Sequence, residues 1–439
     1  MDGFHRVRAS VRRFHRVRAL RVRKWWDLDD GHEFDGWGRG RATKATTPTV
    51  ICRMTAPTSP AAPFVPPPYP YERLDRLKPL AARHRDGRGM VDLSIGTPCD
   101  APPAAVVAAL GSSNAERGYP PSVGSGPLRD SAAAWMERRL GVTVDPEREL
   151  AACIGTKEFV ATTPQWLRLR RPDLDTVLYP AIAYPTYEMG AILAGCRAVP
   201  VPLDDQWRIR LDAISEDDAG RALCLWVNTP GNPAGGLDDL GAAAAWGRAQ
   251  GVPVLSDECY VEFTWSGPPR TILSHGLDGV IALHSLSKRS NLAGARVGVY
   301  AGDGDLVHYL SEVRKHVGCM VPGPVQAAAA VAFADDLHVD EQRERYLGRL
   351  TRLGAALGPW LGLDATAPLP EGAFYLWSAA AAGEEGAGDG WVLAERLAKE
   401  GGVLVSAGDL YGEAGAGHVR LAVVQSDDQI DLVASRLAG

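Results

Sequence analysis

The chain has 439 residues, 46% hydrophobic and 23% charged, with a formal net charge of -6. That length supports one large or two medium domains around a substantial core, and the acidic balance argues against a chain built chiefly to grip nucleic acid. Seven cysteines stand without Cys-x-x-Cys or other paired metal spacing, which excludes a disulfide scaffold or zinc module and makes the cytoplasm the expected compartment.

No apolar run reaches the roughly 18 residues of a membrane-spanning helix. Residues 1–53 differ from the rest of the chain: they repeat Phe-His-Arg-Val-Arg-Ala, at Phe4 to Ala9 and Phe14 to Ala19, among many arginines. Early arginine enrichment suits a basic arm or a transit peptide. Helical spacing stops at Ala19, however, and no secretory cleavage site is visible, so an extension without fixed structure is expected, with Met54 as a second candidate start. Residues 56–70 are Pro-rich and complete an extended arm over 1–70.

Residues 71–83 place Leu74, Leu77 and Leu80 at helical spacing, and 90–95 read as a strand that stops at Gly96-Thr97-Pro98. Gly96 permits close approach of a ligand to the backbone, although in isolation a plain turn glycine is the better reading. The Gly-rich loop from Tyr119 to Arg129 leads into a helix expected over 128–140 and closed by Gly141. It lacks the third glycine of Gly-x-Gly-x-x-Gly and the later acidic residue that a dinucleotide site requires. From residue 151 the pattern becomes strand, loop, helix. Strands are expected at 151–154, 176–179, 198–201, 222–227, 253–256 and 279–284, with helices such as 185–193 and 238–250 between them. This alternation predicts an α/β fold, a mainly parallel sheet between helices, and such sheets bind ligands beyond the carboxyl ends of their strands. Further on, helices are expected over 327–334 and 341–353, strands over 373–377 and 403–405, a Gly/Ala/Glu loop over 381–390 and a last helix over 428–437.

Residues just past the strand ends carry the chemistry. Gly155-Thr156-Lys157 opens a helix, where free N–H groups, the positive dipole end and a hydroxyl suit a phosphate. Tyr184 follows another strand, Asn232 lies in Asn232-Pro-Ala-Gly235, and Asp257 and Tyr260 lie in Asp257-Glu-Cys-Tyr260. Ser285-Leu-Ser-Lys288 follows the last, with Arg296 eight residues on and a further β run over 296–301. Lys288 therefore sits on a polar connection, beside the hydroxyls and guanidinium needed to hold a phosphorylated cofactor near a reactive amine. Singly, each residue has a bland reading: a solvated lysine, an Asn-Pro turn, an aspartate capping a helix. Ser285-Leu-Ser-Lys288 also fits the Ser-x-x-Lys of penicillin-binding proteins, but the Ser-Asp-Asn and Lys-Thr-Gly that those enzymes carry downstream do not occur.

With the late His418-Val-Arg420-Leu-Ala-Val, these motifs make the chain from about residue 92 to 439 resemble the fold-type I pyridoxal-phosphate aminotransferases of class I and II. The resemblance implies the PLP-dependent transferase fold. Residues 101–325 would form a large cofactor domain, 71–100 and 326–439 a smaller α+β domain, and the site would lie at the interface of a C2 homodimer. It implies that Lys288 is the Schiff-base lysine and the acid/base, and that Asp257 pairs with the pyridine nitrogen. Asn232 and Tyr260 would bond the ring hydroxyl oxygen, Tyr184 would stack on the ring, and Thr156, Lys157, Ser285 and Arg296 would hold the phosphate. Arg420, with Asn232 and the Gly96 backbone, would take the substrate α-carboxylate, and Tyr119 would reach the phosphate of the neighbouring subunit.

Gly155-Thr-Lys-Glu-Phe159, Tyr184-Pro-Thr-Tyr-Glu188, Ser287 to Arg296 and Arg314 to Gln326 look like bacterial succinyldiaminopimelate transaminases. That likeness implies amino transfer between glutamate and N-succinyl-2-amino-6-oxopimelate in lysine and diaminopimelate biosynthesis. Ala295 and Thr162-Thr-Pro-Gln165 depart from the pattern, which bears on pocket shape rather than on reaction type. Arg289 and Arg314 read either as ligands of a distal carboxylate or as exposed. The competing readings are an aspartate- or alanine-type aminotransferase, a PLP β-lyase, and a PLP-binding transcriptional regulator. The last needs a helix-turn-helix pattern that 1–53 lacks. Expected partners are small-molecule amino acids and 2-oxo acids, not nucleic acid or membrane.

Overall fold

The computed structural model describes residues 63–364 and 366–438, so the expectations for 1–62 lie outside the described residues. Strands in chain order are β1 Val91–Asp92, β2 Leu150–Cys153, β3 Thr176–Pro180, β4 Arg197–Val201, β5 Ala222–Asn228 and β6 Val254–Asp257. They continue as β7 Val280–Ser285, β8 Gly298–Gly302, β9 Tyr375–Ser378, β10 Val403–Leu404, β11 Ser406–Ala407 and β12 Val419–Ala422.

A seven-stranded sheet in the order β2-β8-β7-β6-β5-β3-β4 carries the fold. Its strands run parallel except β8, which is antiparallel to both β7 and β2. Every residue of β5, β6 and β7 is buried, as central strands covered on both faces must be. Alternation along β7 feeds two cores. Val280 and Ala282 join Trp135 and Phe333 on one face, while Ile281 and Leu283 join Phe159 and Leu310 on the other. This is the expected α/β architecture, and each of the six expected strands is present to within a residue or two.

A third core brings the two ends of the described chain together. Leu74, Leu77, Val91 and Leu93 are buried with Tyr346, Leu353, Phe374, Leu397 and Val433. Here β1 pairs in parallel with β10, and β11, β12 and β9 form an antiparallel sheet.

Local chemistry changes several expected boundaries. The helix expected over 71–83 is a 3-10 segment, Pro70–Arg76, followed by a short α-helix, Lys78–Ala82; Pro79 stands in the first turn of the second, where its missing N–H costs nothing, and inside one continuous helix it would remove a hydrogen bond and crowd the preceding turn. The strand at 90–95 shortens to Val91–Asp92, because the Asp92 carboxylate captures the N–H and hydroxyl of Ser94 at 2.9 and 2.6 Å. The helix expected over 128–140 is α-helical over Gly126–Trp135 and π-helical over Met136–Leu140, and Gly141 ends it at φ 69°. The polar connection expected at Lys288 is a four-residue helix, Leu286–Arg289, begun by the Ser285 hydroxyl accepting from the Ser287 N–H at 3.1 Å.

Candidate active site

Strands β2, β3, β5, β6 and β7 point their carboxyl ends the same way, and a cavity of about 450 Å³ opens there. Thr156, Lys157, Tyr184, Asn232, Asp257 and Tyr260 line it. So do Ser285, Lys288, Arg296, Gly96 and Arg420, which means that all residues expected from the motifs except Tyr119 meet in one space. Tyr119 is 97% exposed and lies off this cavity.

Asp257 ends β6 and is buried. One carboxylate oxygen, Oδ2, accepts from the Tyr187 hydroxyl at 2.8 Å, and Oδ1 accepts from the Cys259 N–H at 3.2 Å. Burial pushes its pKa above the ordinary carboxylate value, against those donors and the charge of Lys288. The Lys288 amine faces the same cavity and donates to the Gly96 carbonyl. Burial above all, with the positive charges of Arg420 and Arg296, brings it down to about 8 although Cys259 and Asp257 oppose the shift. An acid and a lysine readily made neutral therefore face one volume.

A cationic cradle forms at one end. Gly155, at φ 72°, precedes the helix Thr156–Arg170, and a Cβ there would lie 2.3 Å from Arg296 Nη2, so only glycine lets the guanidinium rest against the helix start. Arg296 Nη1 donates to Ser287 Oγ at 3.4 Å and to the Ala293 carbonyl at 2.8 Å. The Cys259 thiol donates to Thr156 Oγ1 at 3.1 Å.

At the other end Arg420, from β12, is 2% exposed. It donates to Asn232 Oδ1 at 2.9 Å and to the Ser94 carbonyl, and its guanidinium carbon lies 4.3 and 4.8 Å from the Tyr375 and Tyr411 ring centres. Its Nε is buried and has no hydrogen-bond partner among the described residues. Asn228 joins the two ends: its Nδ2 donates to the Asp257 carbonyl and its Oδ1 accepts from the Asn232 N–H, both at 2.8 Å. The Tyr260 and Tyr375 hydroxyls bond at 2.8 Å. Lys157 is not drawn into the Arg296 cradle. Its amine donates to the Tyr69 hydroxyl at 3.2 Å, beside the half-exposed Tyr69 ring.

Both readings of Arg289 and Arg314 fail. Arg289 is buried against Glu262 at 3.1 Å and Asp336 at 3.1 Å, and Arg314 grips Glu158 at 2.9 and 2.7 Å. Neither lines the cavity and neither is exposed. Sequence reasoning missed Tyr187, Tyr375, Asn228 and Tyr69. Tyr187 had a signal, since it lies three residues after Tyr184 at a helix start and so shares its side. Tyr375 had none, because its place near Arg420 is set by the β9–β12 register, which pairs Trp377 with Arg420.

The model of the family "Aminotransferase class I and II" matches residues 88–437. The chain belongs to the class I and II aminotransferases. It is 41% identical over 379 residues to the 4-dedimethylamino-4-oxo-anhydrotetracycline transaminase OxyQ of Streptomyces rimosus, covering 84% of this chain and 99% of that one. To the LL-diaminopimelate aminotransferase of Aquifex aeolicus it is 33% identical, over 84% of this chain and 96% of the other. Among solved structures it resembles a probable N-succinyldiaminopimelate aminotransferase from Thermus thermophilus, with a TM-score of 0.73 and 29% identity over 84% of this chain and 99% of that one. Like other class I and II aminotransferases, the chain uses pyridoxal 5'-phosphate and acts on small-molecule amino acid and oxo acid substrates. The residues present fit the cofactor. An amine and a buried acid line the same cavity, a helix start backed by a guanidinium suits a phosphate, and the Arg420 guanidinium brings a fixed positive charge to the same space for a substrate carboxylate.

Proposed function

We propose that the chain transfers an amino group between glutamate and N-succinyl-2-amino-6-oxopimelate, as a succinyldiaminopimelate transaminase of lysine and diaminopimelate biosynthesis, working as a cytoplasmic C2 homodimer. The observation that carries the amino-transfer chemistry is the single cavity shared by Lys288, Asp257 and Arg420. When bound, the cofactor supplies an electron sink for the bonds at the substrate Cα. Asp257 keeps a proton on the ring nitrogen, and its bonds to Tyr187 and Cys259 fix the carboxylate that does so. Lys288, with its lowered pKa, offers a neutral amine that takes and returns the Cα proton. The helix start at Thr156, Ser285 and Arg296 hold the phosphate. Asn232 and Tyr260 bond the ring hydroxyl oxygen, and Tyr184 covers the ring. The planar fork of Arg420, with the Gly96 backbone, takes the α-carboxylate. Tyr119, exposed and outside its own cavity, reaches toward the neighbouring subunit. Residues 71–100 with 326–439 close over the substrate.

Lys157 supports the dicarboxylate choice. Read from the sequence as a phosphate ligand, it stands instead among Tyr69 and Tyr184, with its amine 4.9 and 5.9 Å from their ring centres, where it suits a distal carboxylate better. The same aromatic mouth, with Tyr71, gives a second reading, an anhydrotetracycline ketone like the one named for the Streptomyces relative. The test is kcat/KM for the purified protein with glutamate as donor and each acceptor in turn. Preference for N-succinyl-2-amino-6-oxopimelate supports the first reading, and preference for the ketone replaces it. Pyruvate and ammonia formed without any acceptor would mean a β-lyase.

A further inference from the structure

Behind the cavity, two ionisable side chains face each other across β6 and β7. Residues alternate across a strand, so Asp257 projects toward Tyr187 while its neighbours Ser256 and Glu258 project to the opposite face. His284 of β7 lies on that opposite face, its ring edge-on to Trp135 at 5.0 Å. Its Nε2 is 3.6 Å from Glu258 Oε2, with side chains 2% and 0% exposed. A small rotation or one water closes a gap of that size. Glu258 Oε1 accepts from the Ile272 N–H at 2.8 Å, but among the described residues Oε2, both His284 nitrogens and Ser256 Oγ have no partner in good hydrogen-bond geometry, although the Ser256 and Thr271 hydroxyls lie beside Glu258 and the Glu258 backbone beside His284. Buried polar atoms rarely stay so, and here they cluster.

The surroundings limit how many protons the pair holds. Among the described residues His284 is the basic group within ion-pair range of Glu258. Nearby Glu262 is engaged by Trp135 Nε1 at 2.7 Å, Arg289 at 3.1 Å and Arg139 at 3.1 Å, and Asp257 faces away. With no proton, the pair buries a lone carboxylate; with two, a lone imidazolium; each is costly. One proton leaves the pair neutral overall. Burial raises Glu258 to about 7 and lowers His284 to about 3, which places that proton on the carboxyl.

We propose that Glu258 and His284 share one proton and act as a positioning pair that fixes the strand ends carrying Asp257 and Lys288. Glu258 directly follows Asp257, and its N–H donates to the Leu283 carbonyl at 2.9 Å, one residue before His284 and five before Lys288. The inference rests on the roles given above to Asp257 and Lys288, so trapping of the cofactor on Lys288 in the wild-type protein is checked first. Failure there removes those roles and says nothing about the pair.

The experiment compares E258Q, which keeps a neutral group of the same shape, with E258L, reading the cofactor dissociation constant as well as turnover. E258L is expected to weaken cofactor binding about tenfold, as a misplaced binding group does, and E258Q to restore it to within about threefold of wild type. E258Q as weak as E258L would mean that an ionised carboxylate is required, and E258L equal to wild type would mean that nothing is positioned; either overturns the proposal. Should E258L not fold, the wild-type holoenzyme decides through the infrared carboxyl band lost in E258Q and the ¹⁵N resonances of His284. One proton on the pair throughout about pH 4 to 6, between the His284 and Glu258 values, supports the proposal, and none or two in that range overturns it.

Discussion

The two ends of the cavity are built by different means. The cradle around Gly155, Ser285 and Arg296, and the acid at Asp257, come from strand ends of one sheet, whose places in the chain are set by the strands and helix starts beside them in sequence. The mouth around Tyr69, Lys157, Tyr375 and Arg420 is assembled from segments hundreds of residues apart, held by the pairing of β9 with β12 and by single hydrogen bonds such as that from Lys157 to Tyr69. On the proposed roles, the cofactor chemistry sits on strand ends of one sheet, and substrate binding and choice sit on long-range packing. Changes at the first end should abolish the reaction, and changes at the second should act on substrate binding, with Lys157 deciding between substrates.

The comparison breaks most visibly at Lys288. Lys288→Ala should lower kcat by about 10⁴-fold or more in a steady-state transamination assay, since the proposed mechanism makes one residue both tether and proton carrier. Asp257→Asn should cost about 10²- to 10³-fold in kcat, the scale for losing a preorganised charge at the reacting group; an effect below tenfold would move Asp257 out of the site. Arg420→Lys should act mainly on KM, raising it about 10- to 100-fold for every amino acid tested, because a point charge cannot reproduce the two-pronged bond.

Smaller effects separate the ends. Lys157→Met should raise KM about tenfold for a dicarboxylate acceptor, leave a monocarboxylate almost unchanged and leave cofactor affinity intact. A large loss of cofactor affinity would return Lys157 to the phosphate. The amine of Lys288 lies near 8 rather than the usual 10.5, so capture of cofactor by the apo-protein, which needs the neutral amine, should speed up as pH rises and level off above about 8. Arg420→Ala removes one of the charges that lower it, so the midpoint should move up. A midpoint near the ordinary lysine value would show that burial and the two arginines do not act on Lys288.

The same division explains what could be read from the sequence. β5, β6 and β7 are buried on both faces and appear as continuous apolar runs, so their ends, and with them Asn232, Asp257 and Lys288, were visible in the sequence. Arg289 and Arg314 were misjudged because their partners, Glu262 and Glu158, lie 27 and 156 residues away. Nothing nearby in sequence distinguishes an arginine in a buried pair from one awaiting a substrate. Tyr375 and the Glu258–His284 pair were hidden for a related reason: strand register brings Tyr375 near Arg420 and Glu258 near His284, and local patterning carries no record of register between distant strands.

The central claim is that the cofactor aldehyde is held by the amine of Lys288 in the cavity shared with Asp257. Borohydride reduction of the purified holoprotein followed by peptide mass spectrometry tests it directly. A pyridoxyl adduct on Lys288 alone, no longer formed once glutamate has converted the cofactor to its amine form, is the predicted result. An adduct on Lys157 or any other lysine, or none from protein carrying bound cofactor, would contradict it.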